Sequence, residues 1–164
     1  MRPAPLPAGP GQESVWDYPR PPRVEPDGRL VVVVLGGVEV CRTRRALRVL
    51  ETSHAPGWYL PREDWAAGSL EPAPGSSYCE WKGVASYLTV VGGAQRAERA
   101  AWTYPGPVPA YEALRDAVAL YPSAVDSCTV DGERVRGQDG GFYGGWITSD
   151  VVGPFKGGPG SRYW

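Results

Sequence analysis

The 164 residues are close to the usual size of one domain, and 17 basic against 18 acidic residues leave a net charge of −1, without the basic footprint of a nucleic-acid or anionic-membrane binder. No apolar run approaches the ~20 residues that span a bilayer, and prolines interrupt the N-terminus MRPAPLPAGPGQ where a signal peptide needs a continuous apolar segment. A soluble, cytoplasmic protein is expected, with no nucleic-acid or membrane partner.

The 22 glycines and 18 prolines mark a turn-rich chain, while seven tryptophans and nine tyrosines supply the apolar payload that disordered sequences lack. A mostly β fold is expected. Residues 1–29 hold eight prolines and read as an extended N-terminal arm. This arm should lie across the domain, because exposing Trp16 and Tyr18 would forgo burial worth roughly 2 kcal/mol each.

The β-rich core is expected over residues 30–136. LVVVVL, Gly36-Gly37 and VEVCR read as a β-hairpin. In TRRALRVLETSH the period changes: Ala46, Leu47, Leu50 and His54 fall on one helical face, with Thr43 as N-cap and Pro56 as stop. A short helix is expected there. WYLP reads as a brief strand, VASYLTVVGGAQRAERAAWTYP as a hairpin through Gly92-Gly93, PAYEALRD as a helical turn, and SCTVDGERV as a hairpin through Asp131-Gly132. Residues 137–164, with nine glycines and no helical period, read as a second arm packed on the core.

YCEWKG, Tyr78 to Gly83, brings a thiol, a carboxylate, an indole and an ammonium together. As a regular strand it would put Tyr78, Glu80 and Lys82 on one face and Cys79 and Trp81 on the other. A bulge before Gly83 would re-aim one side chain and unite thiol and ammonium. The lone histidine, His54, follows Glu51 by three residues; on a helix they are neighbours, and the carboxylate would fix the imidazole tautomer and raise its pKa. The competing reading is a structural histidine at a helix C-terminus. Arg42, Arg44, Arg45 and Arg48 read as a solvated face. Three cysteines, Cys41, Cys79 and Cys128, form no C-x-x-C, so reduced thiols are expected and no metal site. GGPGSR and GGFYGG match no phosphate-loop pattern, and no G-x-S-x-G elbow is present.

The succession WDYPRPPR, GGVEVCRTRRALRVLETSHAPGWYLPRED, SSYCEWKGVASYLTV, AAWTYPGP, GGFYGGW and VGPFKGGPG, from about Glu13 to Gly160, resembles an actinobacterial member of the bacterial domain of unknown function 427 family. That family is also labelled a nucleotidyltransferase-type domain. The resemblance implies an Mss4-like, or β-tent, architecture of two antiparallel sheets meeting at an angle over a cleft, with one or two short helices. It points to Glu51, Ser53, His54, Tyr78, Cys79, Lys82, Gly83, Trp102 and Tyr104. The family's ETSHPP and YCPYKG depart here to ETSHAP, with Ala55, and YCEWKG, with Glu80 and Trp81; the proline of the family version favours a bent segment, with Cys79 and Lys82 in one cleft.

The leading expectation is a small-molecule enzyme without metal or cofactor, its cleft between the sheets and walled by Trp81, Trp102 and Tyr104. Glu51 and His54 would transfer protons, and Lys82, its pKa lowered, would form an imine or act electrostatically. Cys79 would be an alternative nucleophile. Tyr59, Arg62 and Tyr78 complete the expected substrate contacts, and carbonyl, imine, condensation or cyclisation chemistry in secondary metabolism would suit them. The alternatives are a non-catalytic ligand-binding module, a nucleotidyltransferase-like protein, or an interaction domain, as a monomer or small homo-oligomer.

Overall fold

A computed structural model describes residues 2–164. The chain is mostly β, in two principal antiparallel sheets. The larger has seven strands in the spatial order Arg23–Asp27, Ala46–Leu50, Gly57–Pro61, Ala117–Leu120, Gln95–Thr103, Gly83–Gly92 and Leu70–Cys79. The smaller orders Glu133–Arg134, Ser127–Val130, Val31–Leu35 and Val38–Thr43. Helical structure is limited to short 3-10 turns, among them Pro109–Leu114 at the expected helical turn. Among the described residues no helix is long and apolar enough to cross a membrane.

Local turn chemistry builds the hairpins. Gly36 and Gly37 both have positive φ, as do Asp131 and Gly132, the conformation that matches the twist of paired strands. The Gly36 turn also packs against the backbone of Gly92 and Gly93, where a β-carbon would overlap the Gly92 carbonyl. Glycine is therefore required twice over, for its φ and for this close approach.

The two faces of the seven-stranded sheet have separate tasks. Val31, Val33 and Leu35 of the small sheet pack on Trp58, Leu60, Leu88, Val90, Val118 and Leu120 of the large one. The intervening residues Tyr59, Ala117 and Ala119 turn the other way and join Val49, Ala85, Tyr104, Tyr111 and Leu114. Period-two alternation thus gives the sheet one face for the main core and another for a second aromatic cluster.

The helix expected from Thr43 to His54 does not form. Ala46–Leu50 is a strand paired with Arg23–Asp27 on one side and Gly57–Pro61 on the other. Its residues are buried or half-buried on both faces, so a continuous apolar run imitated a helical face. Arg48 is also not solvated: its side chain is 6% exposed and ion-paired with Glu13, Glu25 and Asp27.

Both terminal segments are stitched to the sheets. Arg23–Asp27, within the expected N-terminal arm, is a full strand of the large sheet. Upstream, Glu13–Ser14 pairs in parallel with Val151–Val152, and Trp16 and Tyr18 are buried. Towards the C-terminus Trp146 is fully buried in the main core and stacks on Trp58 with ring centroids 5.6 Å apart. Its indole N–H donates to the Leu120 carbonyl at 3.2 Å, which satisfies the one polar group the ring brings inside.

Candidate functional site

A cavity of about 550 Å³ lies on the second face of the large sheet, not between the two sheets as expected. Its size suits a small organic molecule. Tyr59 on Gly57–Pro61, Trp102 on Gln95–Thr103 and Tyr104 just past its end form its floor across the intervening strand Ala117–Leu120, and the Trp102 indole N–H points at the Tyr59 hydroxyl at 3.4 Å.

One wall is the segment Glu51–His54. It is a turn and not the end of a helix: the His54 N–H donates to the Glu51 carbonyl at 3.0 Å, and Ser53 has φ of 71°. A non-glycine residue holds that conformation only where its surroundings over-determine it. Ser53 is fully buried, its N–H donates to Val15 and its carbonyl accepts from Lys156. The turn brings Glu51 Oε2 to 3.7 Å from His54 Nδ1, and Arg20 Nε approaches the same carboxylate at 3.5 Å. The proximity expected from helical spacing is present with a different backbone.

A second wall is YCEWKG, which caps a hairpin. Leu70–Cys79 and Gly83–Gly92 pair directly, Cys79 opposite Gly83, and Glu80, Trp81 and Lys82 form the three-residue connection. Gly83 has φ of 114°, the positive φ that such tight connections assign to glycine. Because the chain reverses here, strand alternation does not apply, and Cys79, Trp81 and Lys82 all line the cavity. Lys82 Nζ lies 6.0 Å from the Tyr59 ring centre and 5.6 Å from that of Tyr104, in cation–π range.

The third wall comes from the C-terminal segment. The Gln138 N–H donates to the Gly145 carbonyl at 3.0 Å and closes a loop whose Phe142, Tyr143, Gly144 and Gly145 border the cavity. A β-carbon at Gly144 would overlap the Trp102 indole. The Gln138 amide N–H in turn donates to the Lys156 carbonyl at 2.6 Å. Lys156 lines the cavity with its Nζ 5.7 Å from the Tyr143 ring centre, and Tyr143 meets His54 edge-on at 5.1 Å between centroids.

The electrostatics reverse two expectations. Burial pushes the His54 pKa below the ordinary histidine value, outweighing the Glu51 carboxylate that raises it. The imidazole is therefore neutral at pH 7. Its Nδ1 lies 3.0 Å from the Thr52 carbonyl and faces Glu51, both acceptors, so the proton belongs on Nδ1 and Nε2 is left as the basic nitrogen. Lys82 goes the other way. Burial disfavours its charge, but Tyr59, Cys79 and Glu51 together hold its pKa above the ordinary lysine value, so it is an ammonium and not the free amine that imine formation needs.

A titration separates these contributions. Following the His54 ring protons by NMR, the midpoint lies below 6.5, and Glu51→Gln moves it further down because the raising charge is gone. An upward shift would show that the carboxylate does not face a protonated imidazole.

With the site assembled, its sequence can be compared with known families. The profile described as "Domain of unknown function (DUF427)" matches residues 23–131. The chain belongs to the DUF427 family. No curated protein matches it.

The DUF427 match is shorter than the resemblance from Glu13 to Gly160. It includes Glu51, His54, Tyr59, Cys79, Lys82, Trp102 and Tyr104, whereas the loop from Gln138 to Gly145 and Lys156 lie beyond it. Six of the 22 lining residues, the third wall of the cavity, thus lie outside the matched span.

Of the expected residues, Glu51, His54, Tyr59, Tyr78, Cys79, Trp81, Lys82, Trp102 and Tyr104 all border the cavity. Arg62 does not: it is exposed in the 3-10 turn Arg62–Asp64, past the end of the Tyr59 strand. Cys41 and Cys128 are buried away from the cavity, and burial pushes their thiol pKa values up, to about 12 for Cys128, which makes them poor nucleophiles. Among the described residues no three His, Cys, Asp or Glu side chains group as metal ligands would. Tyr87, Tyr121, Gln138, Tyr143 and Lys156 were not expected at the site. Their segments carry only turn and strand patterns, but lysine usage held an unread signal: Lys82 and Lys156 are the only two in the chain.

Proposed function

We propose that the cavity is the active site of a small-molecule enzyme that moves a proton on a carbon next to a carbonyl. The observation that carries this reading is a pair of different groups in one aromatic cavity: a neutral imidazole and a half-buried ammonium without a carboxylate partner within 4.0 Å among the described residues. His54 Nε2 takes the proton, the C–H electron pair forms a carbon–carbon double bond, and the carbonyl π electrons move onto oxygen beside Lys82. Returning the proton to another carbon isomerises the substrate; attack of the enolate carbon on a second carbonyl gives condensation or cyclisation. A base that is unprotonated at pH 7 and a positive group at the developing oxyanion are the two parts such chemistry needs.

The test is deuterium exchange. Incubated in D₂O with a panel of carbon acids, amino-aldehydes and imines, the protein incorporates deuterium into at least one at a rate well above buffer. The acid limb of kcat/KM then falls below pH 6.5, because the base has a depressed pKa and keeps working until it is protonated. Exchange at the buffer rate across the panel would refute the proposal.

The aromatic lining of Tyr59, Tyr87, Trp102, Tyr104, Tyr121 and Tyr143 favours a second reading, a binding module without catalysis. Under that reading ligands raise the melting temperature by mass action while exchange stays at background.

A further inference from the structure

Lysine is used only where the cavity is. The chain has fifteen arginines and two lysines; both lysines line the cavity and no arginine does. Elsewhere the paired cation is arginine, as in Arg48 with Glu13, Arg96 with Glu71 and Arg115 with Glu112. Among the described residues neither lysine has a carboxylate side chain within 4.0 Å. Lys82 rests against Tyr59 and Tyr104, and Lys156 against Tyr143 and a main-chain oxygen of Trp164 at 3.4 Å.

Among the described residues the carboxylates at the cavity pair directly with neither lysine, although Glu51 acts on Lys82 from a distance. Glu51 lies between Arg20 and His54, and Glu80 is exposed at the rim. Two ammonium groups thus face one aromatic space without a carboxylate side chain within 4.0 Å among the described residues. An ammonium is a compact point charge with three rotatable donors, so two ammonium groups can approach one acidic group from different sides, whereas the arginine fork is suited to flat, two-point pairing. Aromatic walls add affinity for a planar body.

We infer that the cavity takes a flat organic anion, with its carboxylate or phosphate held by Lys82 and Lys156 and its body between Trp102, Tyr104 and Tyr143. This rests on the cavity being the functional site and names the substrate class of the reaction proposed above.

The experiment measures binding to the full chain by calorimetry for matched ligands: indole-3-carboxylate against indole-3-carboxamide, and phenyl phosphate against phenol. Each acid binds about tenfold or more tightly than its neutral partner, the value of a charge-assisted hydrogen bond. The tighter of the two acids identifies the acidic group. Lys82→Met and Lys156→Met each weaken the acid about tenfold and the neutral partner by clearly less, because a hydrogen bond to a neutral acceptor contributes less than one to a charged group. Lys82→Gln replaces Lys82→Met if the latter fails to fold by circular dichroism. Equal affinity within both pairs, or no binding by either acid, overturns the inference. The two proposals fail separately. Acid binding without deuterium exchange on any substrate leaves this inference standing and removes the proton-transfer reading, whereas exchange confined to neutral substrates does the reverse.

Discussion

Replacing His54 by asparagine lowers turnover by about a hundredfold to ten-thousandfold, the range for removing a general base, with little change in stability. The asparagine amide occupies the position of imidazole Nδ1, so it still donates to the Thr52 carbonyl, which His54 Nδ1 meets at 3.0 Å. Only Nε2, for which there is no hydrogen bond among the described residues, is removed. Turnover on whichever substrate exchanges deuterium is compared for the two proteins, with urea unfolding as the control. A variant that keeps more than about a tenth of the wild-type rate would make the histidine structural, since even the low end of general-base catalysis exceeds that. In the same protein the acid limb seen in the wild-type pH profile disappears, because the group that titrates there is gone.

The second large effect is on stability. Arg48→Met destabilises the fold by about 3 kcal/mol, near the low end for breaking a buried ion pair because two of the carboxylates are partly exposed. Arg48 donates to Glu13 at 2.5 Å and to Glu25 at 3.1 Å, and its Nε is 3.3 Å from Asp27. Glu13 in turn accepts from the Tyr18 hydroxyl at 2.6 Å, so this one guanidinium joins the N-terminal segment to the edge of the large sheet. Methionine keeps the length of the buried stem and removes only the charge. Urea unfolding should show the loss with an unchanged slope, and the melting temperature should fall by roughly 6–12 °C for a chain of this length. A loss below about 1 kcal/mol would mean that the cluster behaves like surface pairs. The cluster also makes the fold acid-sensitive. Burial opposes ionisation of Asp27, but hydrogen bonds from Arg29 hold its pKa below the ordinary value. The folded state therefore binds fewer protons than the unfolded one as pH falls through about 4, and stability present above that pH is lost below it.

Several elements were legible because their cause is local. The Gly36-Gly37 and Asp131-Gly132 turns follow from φ preferences of two adjacent residues. The Ala46–Leu50 strand was not legible, because its two buried faces are covered by partners distant in sequence and a doubly buried run has no period of two. YCEWKG sits between these cases. Its glycine signalled an irregularity, but only the pairing of Leu70–Cys79 with Gly83–Gly92 turns it into a hairpin end and puts Cys79 and Lys82 in one cavity. The sign of each pKa shift was equally hidden. Spacing shows that Glu51 can reach His54, but how much water is excluded from the imidazole depends on Tyr143 and the C-terminal segment.

By itself the sequence determined the β class, the positions of the glycine-dependent turns and the set of reactive side chains: Glu51, His54, Cys79 and Lys82. These follow from composition and from conformational preferences that act over a few residues. Only the tertiary structure decided that the cavity lies on the outer face of the large sheet, that the segment from Gln138 to Lys156 completes it, and that His54 is neutral while Lys82 is charged. Burial and electrostatic balance are sums over neighbours brought together by folding, and no stretch of a few residues contains them.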